Sequence, residues 1–476
     1  MSKSVYLDAF QEVFVLGMRN WIKFRNFAQI LRLTFIPSRM KVLKFGGTSV
    51  GSAERISHVA RLIVENGKNI VVLSAMAGTT NTLVEINDYL YKRNIPGAQE
   101  TLNNLEMKYR GVIDELFDNE EARAEAARVL GERFAYIRTI VASEFAVAEE
   151  KEILAQGELM STALMNIYLK LHGVKSVLLP ALEYMRTDQN GEPDMKYIAT
   201  RLRRLLEANR DADVYLTQGY ICCNAYGEVD NLKRGGSDYS ASLIGAVVDA
   251  EEIQIWTDID GMHNNDPRYV DNTRPVGSLN FEEAAELAYF GAKILHPNCV
   301  LPAKLNNIPV RLLNTLNPSA TGTVIYNMPP DGKIKAVAAK DNITAIKIKS
   351  GRMLLAYGFL HKVFETFEKY QTSIDMIATS EVGVTVTIDS DRHLAAIVDD
   401  LKNFGTVTVD RDMVIICVVG DLEWHNTGFE AKAVSALADI PVRAISYGGS
   451  NYNVSMVIRG CDKIEALKRL SDSLFE

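Results

Sequence analysis

The hydrophobic period changes once along the chain, and that change decides its architecture. From Met40 to about Pro330, short β-branched runs at 41–45, 70–73, 214–218, 253–256 and 310–313 alternate with longer amphipathic stretches at 54–65, 159–171, 238–248 and 281–290. Such alternation predicts helices packed on a largely parallel sheet. Pro329, Pro330 and Gly332 then mark a linker. Beyond it the elements shorten and repeat: strand 343–349, helix 358–370, strands 373–378 and 382–388, helix 393–403 and strand 406–409 form a βαββαβ unit. A second pass (414–419, 427–437, 442–446, 454–458, 463–474) ends on its helix, one strand short. Strand-like 333–339 can supply that strand and cover the open edge, which inserts the first unit within the second. The expected division is an extension at 1–39, a large α/β domain at 40–330, one α+β unit at 341–410, and another built from 331–340 plus 411–476.

A chain of 476 residues exceeds what one core supports, in keeping with this division. Its 47% hydrophobic and 24% charged residues are ordinary for a soluble protein. A net charge of −8, with no zinc-spaced Cys/His set and no RNA-binding signature, argues against nucleic acid as a partner. The five cysteines, Cys222, Cys223, Cys299, Cys417 and Cys461, are odd in number and scattered, which is cytosolic usage rather than a disulfide framework. In the first 39 residues Arg19, Lys23, Arg25 and Arg32 break every apolar run well short of the roughly 18 residues of a membrane span. That stretch reads as an over-read of the true start or a loose tail; an organellar presequence and an amphipathic surface helix are the other readings. A cytoplasmic location is expected.

Six segments could carry chemistry. K-F-G-G-T-S-V-G, Lys44 to Gly51, follows a strand and opens a helix. Its two glycines admit an anion close to the backbone, the helix N-terminus offers free N–H groups, and Lys44 adds a positive charge; an ordinary strand-to-helix turn is the alternative. The segment lacks P-loop spacing, and the chain shows no set of protein-kinase motifs. V-V-L-S-A-M-A-G-T-T-N, Val71 to Asn81, places Ser74 and Thr80 at a strand's carboxyl end, as ligand lining or as a tight turn. K-R-G-G-S-D, Lys233 to Asp238, offers Arg234 for a bidentate carboxylate or phosphate contact, or is a solvated loop. W-T-D-I-D-G-M-H-N-N-D-P-R, Trp256 to Arg268, ends a strand in an acidic turn-rich loop. In F-G-A-K-I-L-H-P, Phe290 to Pro297, Lys293 interrupts an apolar run, where an isolated lysine usually snorkels. G-E-L-M-S-T, Gly157 to Thr162, puts Glu158 at the expected start of a helix, where macrodipole compensation is the plain explanation.

Taken in order, the six motifs resemble those of the aspartate kinases within the amino-acid kinase superfamily, and the resemblance runs from Met40 to the C-terminus. The C-terminal repeat resembles that family's paired ACT domains, one threaded into the other. G-F-L-H-K-V-F followed by S-I-D-M-I-A-T-S-E-V is similar to the effector unit of lysine-inhibited, monofunctional members. The resemblance implies ATP and L-aspartate as substrates and Mg²⁺ carried on the nucleotide's phosphates rather than by fixed protein ligands. It also implies L-lysine as effector, and a homodimer or tetramer formed through the ACT units.

Residue by residue, the resemblance places Lys44, Phe45, Gly46 and Gly47 at the transferring phosphate, with Lys44 stabilising charge and Asp238 orienting it. Thr257, Asp258, His263, Arg268 and Lys293 fall on the nucleotide, and Ser74, Thr80, Glu158, Arg234 and Ser237 on aspartate. Met353, Gly358, Phe359, Leu360, Ser373, Ile374, Asp375, Thr379, Ser380, Glu381 and Val382 fall at the effector, Asp375 and Glu381 receiving its ammonium groups. The chain departs from the family pattern in four places. His263 stands where a tyrosine is usual, Asn264 and Asn265 replace threonines, Lys233 replaces a glycine, and Ala356 replaces a serine. Competing readings are a sister kinase acting on glutamate, acetylglutamate, carbamate or UMP, and a silent amino-acid sensor. An ACT pair serving only as a dimer interface is the alternative to effector binding.

Overall fold

A computed structural model describes residues 40–232, 235–291, 295, 297–350 and 357–475. The first part of the chain builds an eight-stranded sheet from β1 (Lys41–Phe45), β2 (Asn69–Leu73), β3 (Ser176–Leu179), β4 (Val214–Gln218), β7 (Ile253–Thr257), β8 (Ser278–Leu279), β9 (Val310–Asn314) and β10 (Thr323–Ile325), with β5 (Ile221–Cys223) and β6 (Val229–Asn231) forming a separate hairpin. Its order is β3-β4-β2-β1-β7-β9-β10-β8, and only the β9–β10 pairing is antiparallel. The longer helices are α1 (Ala53–Glu65), α2 (Thr79–Tyr91), α3 (Ile95–Leu116), α4 (Glu120–Val141), α5 (Val147–Leu171), α6 (Met195–Ala208), α7 (Gly236–Val248), α8 (Phe281–Phe290) and α9 (Pro297–Leu305).

Alternate residues of the central strands face opposite layers, and both layers are dry, which is why the strands read as continuous apolar runs. Leu43, Phe45, Val71, Leu73, Val214 and Leu216 share one core with the helices α1 to α5. Val42, Ile70, Val72, Ile253 and Ile255 are equally buried on the other face, where α7 packs across β1, β2 and β7. Lys44 has the parity of Val42 and therefore faces the α7 side. The chain leaves β1 toward β2 and leaves β7 toward β9, so neighbouring strands send their connections in opposite directions. The crevice beyond their carboxyl ends is the switch point at which open α/β sheets take ligands.

The second part is a six-stranded antiparallel sheet: β11 (Ile334–Lys349), β12 (Met376–Ser380), β13 (Gly383–Ile388), β14 (Thr406–Gly420), β15 (Val442–Ser446) and β16 (Asn453–Arg459), in the order β12-β13-β11-β14-β16-β15. Helices α10 (Phe359–Lys369), α11 (Leu394–Lys402), α12 (Phe429–Ala436) and α13 (Lys463–Phe475) accompany it. The four strands expected at 333–339, 343–349, 406–409 and 414–419 are two long ones. Both turn through a left-handed residue, Asn342 (φ 60°) and Asp412 (φ 55°), and the β11–β14 register shifts around that point. On one side of the shift β11 lies between β13 and β14; on the other β14 lies between β11 and β16. Each half is a four-stranded α+β unit, one threaded into the other. Each has its own core, one centred on Ile346, Val363 and Ile397, the other on Ile416, Met456 and Leu467.

Among the described residues no helix is long and apolar enough to cross a membrane.

Candidate active site and regulatory contacts

Four segments meet at the switch point. Gly46 N–H donates to the Trp256 carbonyl at 3.1 Å, which joins the ends of β1 and β7. Ala77 N–H donates to the Gly47 carbonyl at 3.0 Å, drawing in the loop after β2. A Cβ on Gly47 would lie 2.7 Å from the Ala75 carbonyl oxygen, so only glycine fits this approach. Gly219, after β4, bonds back to Leu73 at 2.9 Å and lies so close to Ser237 that a Cβ there would stand 2.6 Å from it. The α7 N-terminus is thereby pressed against the loop after β4. Asp238 sits in the first turn of α7, where a carboxylate is favoured. Lys44 Nζ lies 2.6 Å from its Oδ1, and both side chains are mostly shielded from water. Two motifs distant in sequence thus form one ion pair beside a glycine cradle.

Glu158 corrects the sequence reading. Helix α5 begins at Val147, so Glu158 lies mid-helix and cannot compensate a helix N-terminus. Its side chain is buried; Oε1 accepts from Ala75 N–H at 3.1 Å, while Oε2 is buried with no partner among the described residues. Burial raises its pKa to about 8. On the same helix Ser161 donates to the Ser74 carbonyl at 2.9 Å, so α5 grips the loop carrying Ser74 and Thr80, both half-buried. Lys108 of α3 caps the Ala77 carbonyl at 2.6 Å, a contact that no local pattern around Lys108 announces.

On the β7 side, Thr257 donates to Asp258 at 3.1 Å, and Asp258 is exposed. His263 is half-buried, with Nδ1 2.9 Å from Thr273 Oγ1, and burial lowers its pKa. Arg268 is solvent-facing and clamps Asp266, with Nη2 to Oδ2 at 2.6 Å. Phe45 does not belong with the ligand contacts. Its ring is fully buried and stacks on Trp256 at 5.7 Å, and its carbonyl is taken by Ser74 N–H, so it is core. Arg234 and Lys293, and likewise Lys233, lie outside the described residues.

In the second part, Gly358 (φ 80°) caps α10, Phe359 and Ile374 pack on the inner unit's core, and Leu360, Ser373, Thr379, Ser380, Glu381 and Val382 are exposed. Met353 and Ala356 lie outside the described residues. Asp375 and Glu381 do not converge. They flank opposite ends of β12, about 20 Å apart at strand rise, farther than the two ammonium groups of one lysine. Asp375 already has partners: Lys340 Nζ at 2.6 Å and the hydroxyl of Tyr289, from α8, at 2.8 Å, both on Oδ1. Lys340 also lies 3.0 Å from Asp389 and over the Tyr289 ring at 4.4 Å. Glu286, on the same helix, accepts from Asn453 of β16. At the end of α8, Gly291 (φ 143°) abuts Ala339 of β11, where a Cβ would meet the carbonyl oxygen at 2.4 Å. The helix that leads into the F-G-A-K segment is therefore docked on both four-stranded units. Tyr289 was not singled out from sequence; its only signal is its place beside that motif.

Residues 39–314 match the amino acid kinase family, and residues 416–474 match an ACT domain. Aspartokinase 3, chloroplastic, of Arabidopsis thaliana is 34% identical over 474 residues, covering 91% of this chain and 81% of that protein. The crystal structure of Escherichia coli aspartokinase III in complex with aspartate and ADP (R-state) is 31% identical, with a TM-score of 0.78 over 92% of this chain and 100% of its own. The same enzyme in complex with lysine and aspartate (T-state) is 32% identical with a TM-score of 0.76, at the same coverage. Family matches, relatives and geometry agree, and the chain belongs to the aspartokinases, amino acid kinases whose chains carry ACT domains.

Proposed function

We propose that this aspartate kinase transfers the γ-phosphate of ATP to the side-chain carboxylate of L-aspartate, forming 4-phospho-L-aspartate and ADP, and that L-lysine inhibits it. The observation that carries the chemistry is the Lys44–Asp238 pair beside the Gly46–Gly47 cradle at the switch point. A carboxylate nucleophile is ionised at neutral pH, so the reaction needs positioning and charge neutralisation rather than a general base. Lys44 would stabilise the negative charge on the transferring phosphoryl group, and Asp238 would hold its ammonium in place. Gly46 and Gly47 would bring backbone within reach of phosphate, with Thr257, Asp258, His263, Arg268 and Lys293 on the nucleotide. Mg²⁺ would neutralise phosphate charge, carried on phosphate oxygens. Glu158 would meet the aspartate ammonium, Arg234 a carboxylate, and Ser74, Thr80 and Ser237 the remaining polar atoms. The aspartate and ADP held by the Escherichia coli relative support this reading.

The lysine held by that relative in its T-state supports the effector assignment. Because Asp375 and Glu381 flank opposite ends of β12, one chain cannot bring both to one lysine. The site would be completed by a second copy, giving a homodimer through the ACT units, with boundaries 40–330, 341–410 and 331–340 plus 411–476. The reaction would open lysine, threonine and methionine biosynthesis in the cytoplasm.

Trapping the acyl phosphate with hydroxylamine, in ATP–Mg²⁺ and L-aspartate with and without L-lysine, tests both assignments. Aspartate-dependent hydroxamate that lysine suppresses is the expected result. Hydroxamate indifferent to lysine removes the effector alone, and no turnover from folded protein removes the reaction. Tyr289→Phe, which deletes one bond to Asp375, is expected to leave lysine binding by calorimetry within a few-fold while raising the half-inhibitory concentration about fivefold.

A further inference from the structure

The segment between β7 and β8 runs out as a hairpin and returns. Asn264 N–H donates to the Arg274 carbonyl at 2.9 Å, and Val276 N–H to the Met262 carbonyl at 2.7 Å. Its tip reaches the outer ACT unit. Val270 is buried in the core of the outer ACT unit beside Ala466, Leu467 and Leu470 of α13, and Lys463 Nζ lies 4.4 Å over the Tyr269 ring. Between base and tip sit the two asparagines that depart from the family pattern, and both are buried.

Asn265 uses both ends of its amide. Nδ2 donates to the Leu467 carbonyl of α13 at 2.9 Å, and Oδ1 accepts from Asp266 N–H at 2.8 Å. The Asp266 carboxylate then receives Arg268 through its backbone N–H, its Nε and its Nη2. A series of hydrogen bonds therefore runs from the C-terminal helix through Asn265 and Asp266 to the guanidinium assigned to the nucleotide. The Asn264 carbonyl adds a second tether, accepting from Val337 N–H of β11 at 2.8 Å.

From this geometry we infer that Asn265 is a positioning residue for ATP, holding the Arg268 segment in register with α13, so that the outer ACT unit forms the back wall of the nucleotide site. The inference rests on the proposed assignment of Arg268 to the nucleotide. It gives α13 a part in basal nucleotide affinity, apart from any effector. It also gives the departure at Asn265 a role as a clamp, since a donor and an acceptor on one planar amide serve helix and loop at once.

Two substitutions in the full-length enzyme separate the contacts. Asn265→Ala removes both, and the Leu467 carbonyl keeps its own helical partner, so the fold should persist. Asn265→Asp keeps the acceptor for Asp266 N–H but turns a lone pair on the Leu467 carbonyl. Both are expected to raise KM for ATP about fivefold, with kcat and KM for aspartate within twofold and no lysine present. A purely structural role would lower kcat and raise both KM values together. Wild-type behaviour of Asn265→Asp would show that the local turn suffices and would overturn the part given to α13. If neither variant shifts KM for ATP while Arg268→Ala does, the inference fails and the Arg268 assignment stands. If Arg268→Ala has no effect either, that assignment fails and takes the inference with it.

Discussion

Lys44→Met should lower kcat about 10³-fold while changing KM for ATP and aspartate far less, because its charge is needed most where phosphoryl charge is redistributed. The variant needs a companion. Lys44 and Asp238 are mutually shielded, and removing one leaves a buried carboxylate unpaired, a loss of stability unrelated to catalysis. The double variant Lys44→Met, Asp238→Asn removes that charge and should recover melting temperature without recovering turnover. Steady-state rates beside thermal melts read both. A single variant within tenfold of wild type would remove Lys44 from the chemistry.

Aspartate affinity should depend steeply on pH. In the free enzyme Glu158 ionises only near pH 8 because it is buried and Oε2 has no donor. An ammonium ligand needs the carboxylate, so binding below that pH must expel a proton. KM for aspartate should fall about tenfold per unit from pH 6 toward 8 and then level off. Calorimetry at pH 7 in buffers of different ionisation enthalpy should report close to one proton released per aspartate bound. Glu158→Gln should abolish the slope and raise KM about 10²-fold. The sign for stability is the opposite. Between about pH 4.5, the ordinary glutamate value, and about 8, only the folded chain holds the proton, so stability contributed at this site declines as pH rises. The glutamine variant should accordingly gain melting temperature over wild type at pH 8 and not at pH 4.5. A flat aspartate KM between pH 6 and 8 would separate Glu158 from the substrate.

Patterns that repeat every two or 3.6 residues were legible before any coordinates, and they placed β1, β4, β15 and α8 at the bounds the structure has. Motif order brought Lys44 and Asp238 together although they lie in different motifs. Features set by distant partners were not legible. The first turns of α5 are mostly polar, so the apolar pattern marks a start near Leu159 rather than Val147 and leaves Glu158 looking like a helix-end position. Helices α3 and α4 carry none of the six motifs, and their apolar residues join the core shared by α1 to α5. The continuity of β11 and β14 depends on single left-handed residues that look like ordinary turn signals. Phe45 sits within a ligand-binding motif but faces the core, because side chains alternate along a strand.

The sharing of β11 and β14 makes the two regulatory units unequal as genetic modules. Lys340 and Ile415 are register partners on adjacent antiparallel strands, so a deletion that joined the chain there would need only a tight turn to leave the outer unit's four strands paired. The inner unit can therefore be lost, or exchanged for another, in a single event that spares its neighbour. The outer unit has no such exit, because every cut that removes it takes the inner unit's anchorage along. Such an excision would also carry away Asp375 and strand the Tyr289 hydroxyl and the Lys340 ammonium. Lineages that change their effector are thus free to do so through the inner unit, while the outer one stays bound to the kinase.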